Sequence, residues 1–361
     1  LAERGTETVH PDLLTQAQTC SESVRLACLE ALKRLAPPET VPELLRLLKT
    51  TPEQATRSAA GEALAAASLR APNPSKWDNP IAAELEGASP EVQRVLLDVL
   101  RRIGGKAGLA VVGAHLESAD DTVADAAIRA LAEWPSTDAL PLLYGVAESA
   151  DSPIHRVLAL RGIVRLLGLP ADHSGAETAE RFRRALELAE RPEDKRLVLG
   201  ALAQCATPQA LELARSARTT TALRPEADVA AAAIAGNLPR SHRTLAETTA
   251  RKILENAATE PVKQAATEAL RKIRKYDGYL TAWAVCGPFT SGNKGGNKLF
   301  AVPLGPENQD LWTRWQTIAA DPDTEDAWRL NLGTLLGGKN RVAYLQSYVW
   351  TPRRTDALLQ I

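Results

Sequence analysis

Five basic residues recur at one place in a repeating segment of this chain: Arg25, Arg57, Arg156, Lys195 and Lys263. Cations repeated at a fixed offset could form a ladder along one face and bind an anionic partner. They could equally pair with an acidic turn residue or with helix carbonyls of the preceding repeat. The five histidines, His10, His115, His155, His173 and His242, offer less. No two stand four residues apart, as a metal pair on a helix requires, and HExxH is absent. Asp172 and His173 adjoin in ADHSG, whose polar, Gly-containing composition reads as an inter-helix loop. GNKGGNK (292–298) lacks the spacing of a phosphate loop, and GTLLGGKN (333–340) puts Asn340 where Ser or Thr would hold the metal. Both read as surface turns. No G-x-S-x-G elbow occurs. These residues predict no catalytic, cofactor or metal site, and no enzyme. Trp312, Trp315 and Trp350 could stack on sugar rings or fill a core.

Composition narrows the partners. The chain has 361 residues, 43 of them basic and 44 acidic, for a net charge of -1. That balance argues against a chain-wide basic surface, so no nucleic-acid partner is expected. No apolar run approaches the roughly 20 residues that span a bilayer, and LAERGTETVHPD has no apolar core of a secretory signal. The four cysteines, Cys20, Cys28, Cys205 and Cys286, form no CxxC and read as buried or half-buried free thiols.

The elements that must position these residues follow from self-similarity. SVRLACLEAL (23–32), ATRSAAGEAL (55–64), TVADAAIRAL (122–131) and PVKQAATEAL (261–270) share one pattern. EVQRVLLDVL, IHRVLALRGI, EDKRLVLGAL and PEADVAAAAI are looser copies. Their second residues are Val24, Thr56, Val92, Val123, His155, Asp194, Glu226 and Val262, spaced 31 to 39 apart. Each copy is a helix: Val24, Ala27, Ala31 and Leu32 line one face at 3.6 residues per turn. Ser89 and Ser152, each before a Pro, read as N-caps, and Asp120–Asp121 suit a helix N-terminus. Further helices lie between the copies, for example VPELLRLLK (41–49) and ERFRRALELAE (180–190). The unit is helix, turn, helix, and such units bury their apolar stripes only by stacking.

This unit resembles the HEAT repeat, two antiparallel helices with V-R or a similar pair opening the second, over about Leu13 to Lys275. The landmarks of tetratricopeptide repeats are absent. The middle of the chain, LPLLYGVAESADSPIHRVLALRGIVRLLGLP onward, resembles the HEAT-like segment of large planctomycete-type bacterial proteins. In those proteins a β-sandwich beginning W-x-V-x-G-P-F/Y follows, and WAVCGPF stands here at Trp283–Phe289. YDGYL (276–280) reads as the end of the last helix. TAWAVCG reads as a strand stopped by Gly287-Pro288, and VAYLQSYVW (342–350) and DALLQI (356–361) as further strands. The expected architecture is mainly α. A HEAT-like solenoid occupies 1–277, and a partial, jelly-roll or galactose-binding-like β-sandwich occupies 278–361. The resemblance implies a non-catalytic protein-interaction scaffold, periplasmic or extracellular, within a larger exported bacterial protein. Its partner would be a protein on the solenoid surface, where the basic ladder is the candidate site. The alternative is a carbohydrate-binding accessory module of a polysaccharide-degrading system, with glycan held by Trp312, Trp315 and Trp350. No cofactor is implied.

Overall fold

The computed structural model describes residues 10–169, 174–275, 282–290, 296–307, 315–319, 331–337, 341–349 and 356. By internal contact the chain divides into Leu1–Leu270 and Arg271–Ile361.

The first unit is a pile of helical hairpins. Its helices are α1 (His10–Thr19), α2 (Glu22–Leu35), α3 (Val41–Thr50), α4 (Gln54–Leu69), α5 (Asp78–Ala83), α6 (Pro90–Ile103), α7 (Lys106–Ala114) and α8 (Asp121–Ala132). They continue as α9 (Leu140–Ser149), α10 (Pro153–Leu167), α11 (Gly175–Leu188), α12 (Pro192–Leu202), α13 (Pro208–Ala217), α14 (Arg224–Asn237), α15 (Arg243–Glu255) and α16 (Glu260–Arg274). All eight register residues, Val24 to Val262, fall at the third position of an even-numbered helix.

The even helices form a continuous layer. α2 packs on α4, α4 on α6, α6 on α8, α8 on α10, α10 on α12 and α12 on α14. Odd helices pack on the even helix of their own hairpin, as α1 on α2, α3 on α4, α9 on α10 and α13 on α14. Leu29, Leu32, Leu64, Leu96, Leu97 and Leu100 are fully buried between layers. Ala60, Ala127 and Ala266 are fully buried too, and their small size lets neighbouring helices close in. Gly162 takes this furthest: a Cβ there would lie 2.6 Å from Ala132 Cα, on the helix below. This is the stacked α-solenoid that the repeat predicts.

Helix starts are built as expected at α8 and differently at α6. Asp120 accepts from the Thr122 hydroxyl at 2.6 Å and from the Thr122 and Val123 N–H groups at 2.8 and 3.3 Å, and the hydroxyl above all, with the two N–H groups, holds its carboxyl below the ordinary range. Ser89 and Ser152 stand at the N-cap positions of α6 and α10, but neither side chain accepts from its helix. Ser89 bonds the Glu91 carboxylate instead, which lowers the Glu91 pKa. Gly104 ends α6 in the left-handed conformation at φ +74°.

The second unit holds β1 (Ala282–Phe289), a short α17 (Gly296–Leu299), β2 (Trp315–Ala319), α18 (Leu332–Leu336) and β3 (Val342–Gln346). The described strands make one antiparallel sheet in the order β2-β1-β3, with Val285 opposite Gln316 and Leu345. Gly287-Pro288 does not stop β1. The strand runs through it with a register shift between Cys286 and Phe289, and Gly287 at φ +133° supplies the bulge. β3 ends at Gln346, four residues before the expected end, and GTLLGGKN opens with α18 where a turn was expected. β2 was not foreseen. YDGYL, ADHSG apart from Ser174 and Gly175, the first residues of GNKGGNK, and DALLQI after Asp356 lie outside the described residues. The cysteines are free thiols, Cys28 and Cys286 buried and the other two half-buried.

Candidate interaction surface

The basic ladder occupies one structural position, the fourth residue of α2, α4, α10, α12 and α16. Its members do not do one job. Arg25 Nε donates to Cys20 O at 3.1 Å. Arg57 donates to Thr51 O at 3.1 and 3.3 Å and to Pro52 O at 3.0 Å. Arg156 Nη1 donates to Ala150 O at 2.8 Å. Each guanidinium reaches back to the carbonyls that end the first helix of its own hairpin. Those groups have no intrahelical partner, and the helix dipole favours a cation there. Gln93 holds the same position on α6 and donates to Leu85 O at 3.0 Å. Arg25 also pairs with Glu53 at 3.1 Å and Arg156 with Glu190 at 3.5 Å. Those acids stand in the turn before the next even helix, so the pairs run forward to the following repeat. Lys195 is half-buried and Lys263 exposed, and neither side chain makes a hydrogen bond or ion pair with the described residues.

A second set of backbone-binding arginines was not anticipated. Arg70, at the end of α4, donates to Ala36 O at 3.2 Å, Lys33 O at 2.6 Å and Arg34 O at 2.7 Å. Arg165, near the end of α10, donates to Ala132 O at 2.7 Å and also to Trp134 O. Both tie the end of one even helix to the layer before it. Their shared place in the last turn of an even helix was the available signal.

The exposed side of the even layer changes character along the pile. At the ninth helical position α2, α4 and α6 carry Glu30, Glu62 and Asp98, whereas α8 and α10 carry Arg129 and Arg161. The acids are all paired: Glu30 with Arg34 at 3.4 Å, Glu62 with Lys33 at 2.7 Å, and Asp98 with Arg101 and Arg102 at 2.7 and 2.8 Å. Arg129 pairs with Asp125 at 2.7 Å. Arg161 is exposed and makes no hydrogen bond or ion pair with the described residues. At the sixth position α2, α4 and α8 carry Ala27, Ala59 and Ala126, but α10 and α12 carry Leu158 and Leu197. Leu197 is 42% exposed, and Ile154 at the second position of α10 is 70% exposed. A groove of about 360 Å³ runs beside α10 and the start of α12. Ile154, Val157, Leu158 and Leu188 give it apolar walls, and Arg129, Arg156, Arg161 and Arg191 rim it, with Glu190 and Asp194.

A second groove, between α9 and α11, is internally satisfied. Tyr144 is buried there, its hydroxyl donates to Arg181 O at 2.7 Å, and burial pushes its pKa up to about 12. The Arg184 guanidinium lies 4.3 Å from the Tyr144 ring centroid and pairs with Glu148. Trp315 begins β2 and is 37% exposed, while Trp312 and Trp350 lie outside the described residues. Among the described residues no three His, Cys, Asp or Glu side chains converge on a metal-sized site. None of the described helices is long and apolar enough to cross a membrane.

A family profile of HEAT repeats matches residues 1–71 and 79–163. These residues take in the layers from α1 to most of α10, and packed helical hairpins continue beyond them to α14. Among solved structures, yeast importin-β is similar at 17% identity and a TM-score of 0.45, over 76% of this chain and 41% of that one. The chain therefore spans less than half the length of that relative. Human deoxyhypusine hydroxylase in complex with glycerol is similar at 14% identity and a TM-score of 0.32, over 76% of this chain and 99% of that one. The CpcE–CpcF complex of phycocyanin lyase from Nostoc sp. is similar at 16% identity and a TM-score of 0.36, over 76% and 97%. No curated protein matches the chain.

Proposed function

We propose that this HEAT-like solenoid is a non-catalytic scaffold that binds a protein partner on the exposed side of its even layer. The observation that carries this reading is the contrast along that layer. The ninth-position acids of α2 to α6, Glu30, Glu62 and Asp98, are paired within the chain, while α10 and α12 present exposed Ile154 and Leu197, and Arg161 has no side-chain partner among the described residues. Exposed aliphatic side chains clustered with arginine are the composition of an interaction patch rather than of a merely solvated face. Lys195 and Lys263 are the two ladder members left for a partner, since Arg25, Arg57 and Arg156 serve the backbone. Affinity capture from the native source with the whole chain as bait tests this. The expected result is a defined protein partner whose recovery falls with Lys195→Glu and Lys263→Glu together. Capture unaffected by that pair and by charge reversal at Arg161 would refute the placement.

By the resemblance of WAVCGPF and the central repeats, the scaffold belongs to a larger exported bacterial protein, periplasmic or extracellular. Fractionation of the native cells, with the chain expected outside the cytoplasm, checks this. The exposed Trp315 on β2 supports the second reading, a glycan-binding role of the C-terminal unit. Glycan-array binding that is lost in Trp315→Ala would establish it, and an array without hits would remove it.

A further inference from the structure

We propose that the α10–α12 groove docks a short acidic, aliphatic segment of the partner protein. The inference rests on the scaffold reading and names the class of partner and the place.

Three features bear on it, two of them on α12 within two turns of Asp194, which lines the groove. The first is apolar: Ile154 is 70% exposed, Leu197 is 42% exposed, and Leu158 is half-buried at the position equivalent to Leu197 on the adjoining helix. At the same sixth position α2, α4, α8 and α16 carry Ala and α6 and α14 carry Val, so Leu is local to α10 and α12. The second is charge. Of the four arginines on its rim, Arg129, Arg156 and Arg191 pair with Asp125, Glu190 and Asp194, and Arg161 has no side-chain partner among the described residues. A carboxylate would give Arg161 the bidentate bonds that its fork favours. The third is room. Gly200 holds the ninth position of α12, the equivalent of Arg161, and a Cβ built on it meets no atom within 4 Å. A chain lying across Leu158 and Leu197 can approach that helix closely.

A nucleic acid fits less well. Glu190 and Glu193 are exposed at the start of α12, and a phosphate backbone would face them as well as the arginines. An exposed Ile and Leu also match side chains better than phosphates.

The experiment is selection of phage-displayed random 12-residue peptides on the whole chain, followed by fluorescence anisotropy with a synthetic enriched peptide. The expected consensus pairs Asp or Glu with Leu, Ile or Phe. Its affinity should fall at least tenfold in Arg161→Glu and in Leu197→Asp, and also in Gly200→Trp, which places a bulky side chain where a Cβ meets no atom within 4 Å. Lys252→Glu, a charge reversal at an exposed position of α15, should leave it unchanged. The changed residues are exposed, and unaltered thermal melting of the variants separates lost docking from lost folding. Enriched peptides without acidic residues would overturn the proposal, as would equal competition by heparin and by unrelated acidic peptide. Binding unaffected at all three positions would overturn this site and leave the scaffold reading standing. Concentration-dependent dimerisation abolished by Arg161→Glu would also overturn it, by naming a second copy as the occupant. Capture of no protein partner by the wild-type chain would instead remove the scaffold reading itself.

Discussion

At the scale of single residues, two glycines in even helices predict opposite outcomes for one substitution. Replacing Gly by Ala in a helix interior ordinarily gains about 1 kcal/mol. At Gly200 nothing lies within 4 Å of the new Cβ, so Gly200→Ala should stabilise the chain by about that amount. At Gly162 the new Cβ would meet Ala132 Cα at 2.6 Å and Leu143 Cδ1 at 3.0 Å. Overpacking of that kind costs about 1–3 kcal/mol, and here a helix must move, so the loss should prevail. Urea denaturation of the two variants beside wild type reads both signs. Asp78 gives a second residue-level prediction. It is 1% exposed, accepts from Gly108 N at 3.2 Å, and is pushed above its ordinary carboxylate value by burial. A folded pKa above the unfolded one gives stability at low pH that is lost as pH rises through the raised value. Asp78→Asn keeps an acceptor for Gly108 and cannot ionise. The variant should therefore gain on wild type as pH climbs from about 4 to neutrality, the span over which a raised carboxyl ionises. Urea midpoints measured across that range would show no divergence if Asp78 ionised freely.

At the scale of elements, the turn inside each hairpin is held by a side chain as well as by backbone. Arg57 joins α4 to the carbonyls after α3, and it is nearly buried at 9% exposure. Arg57→Ala leaves Thr51 O and Pro52 O without their charged donor, a loss of about 2–3 kcal/mol for buried bonds of this type. Lys263 holds the same position on α16, is exposed and has no described partner, so Lys263→Ala should change stability by less than about 0.5 kcal/mol. Chemical denaturation of this pair separates hairpin-closing members of the ladder from members left for a partner. Equal costs would mean that position alone, and not the hydrogen bonds, sets the effect.

At the scale of the helical unit, each layer touches its neighbours, so damage should spread by layers. Trp134, after α8, is fully buried and its carbonyl accepts from Arg165 of α10. Trp134→Ala opens a cavity worth about 3–5 kcal/mol. Amide hydrogen exchange should then quicken in α6 to α10 while α2 to α4 keep most of their protection. Uniform loss of protection through the unit would show instead that it unfolds as one block.

The repeat was legible because burial imposes it. Helices that meet closely need apolar or small residues at the contact, so Val92, Val123, Ala60 and Ala127 recur at helical spacing in the sequence itself. The positions of eight even helices followed from that pattern. Strand β2 and the passage of β1 through Gly287-Pro288 did not, because a bulge and an edge strand depend on pairing with residues distant in the chain. The ladder shows the same division. Sequence placed Arg25, Arg57, Arg156, Lys195 and Lys263 at one helical position, since spacing is a local property. Whether a carbonyl, an acid or open water faces each cation is decided by the turn and the neighbouring layer. Only the packed structure assigned three of them to the backbone and left Arg161, outside the ladder altogether, as the cation beside an exposed apolar groove.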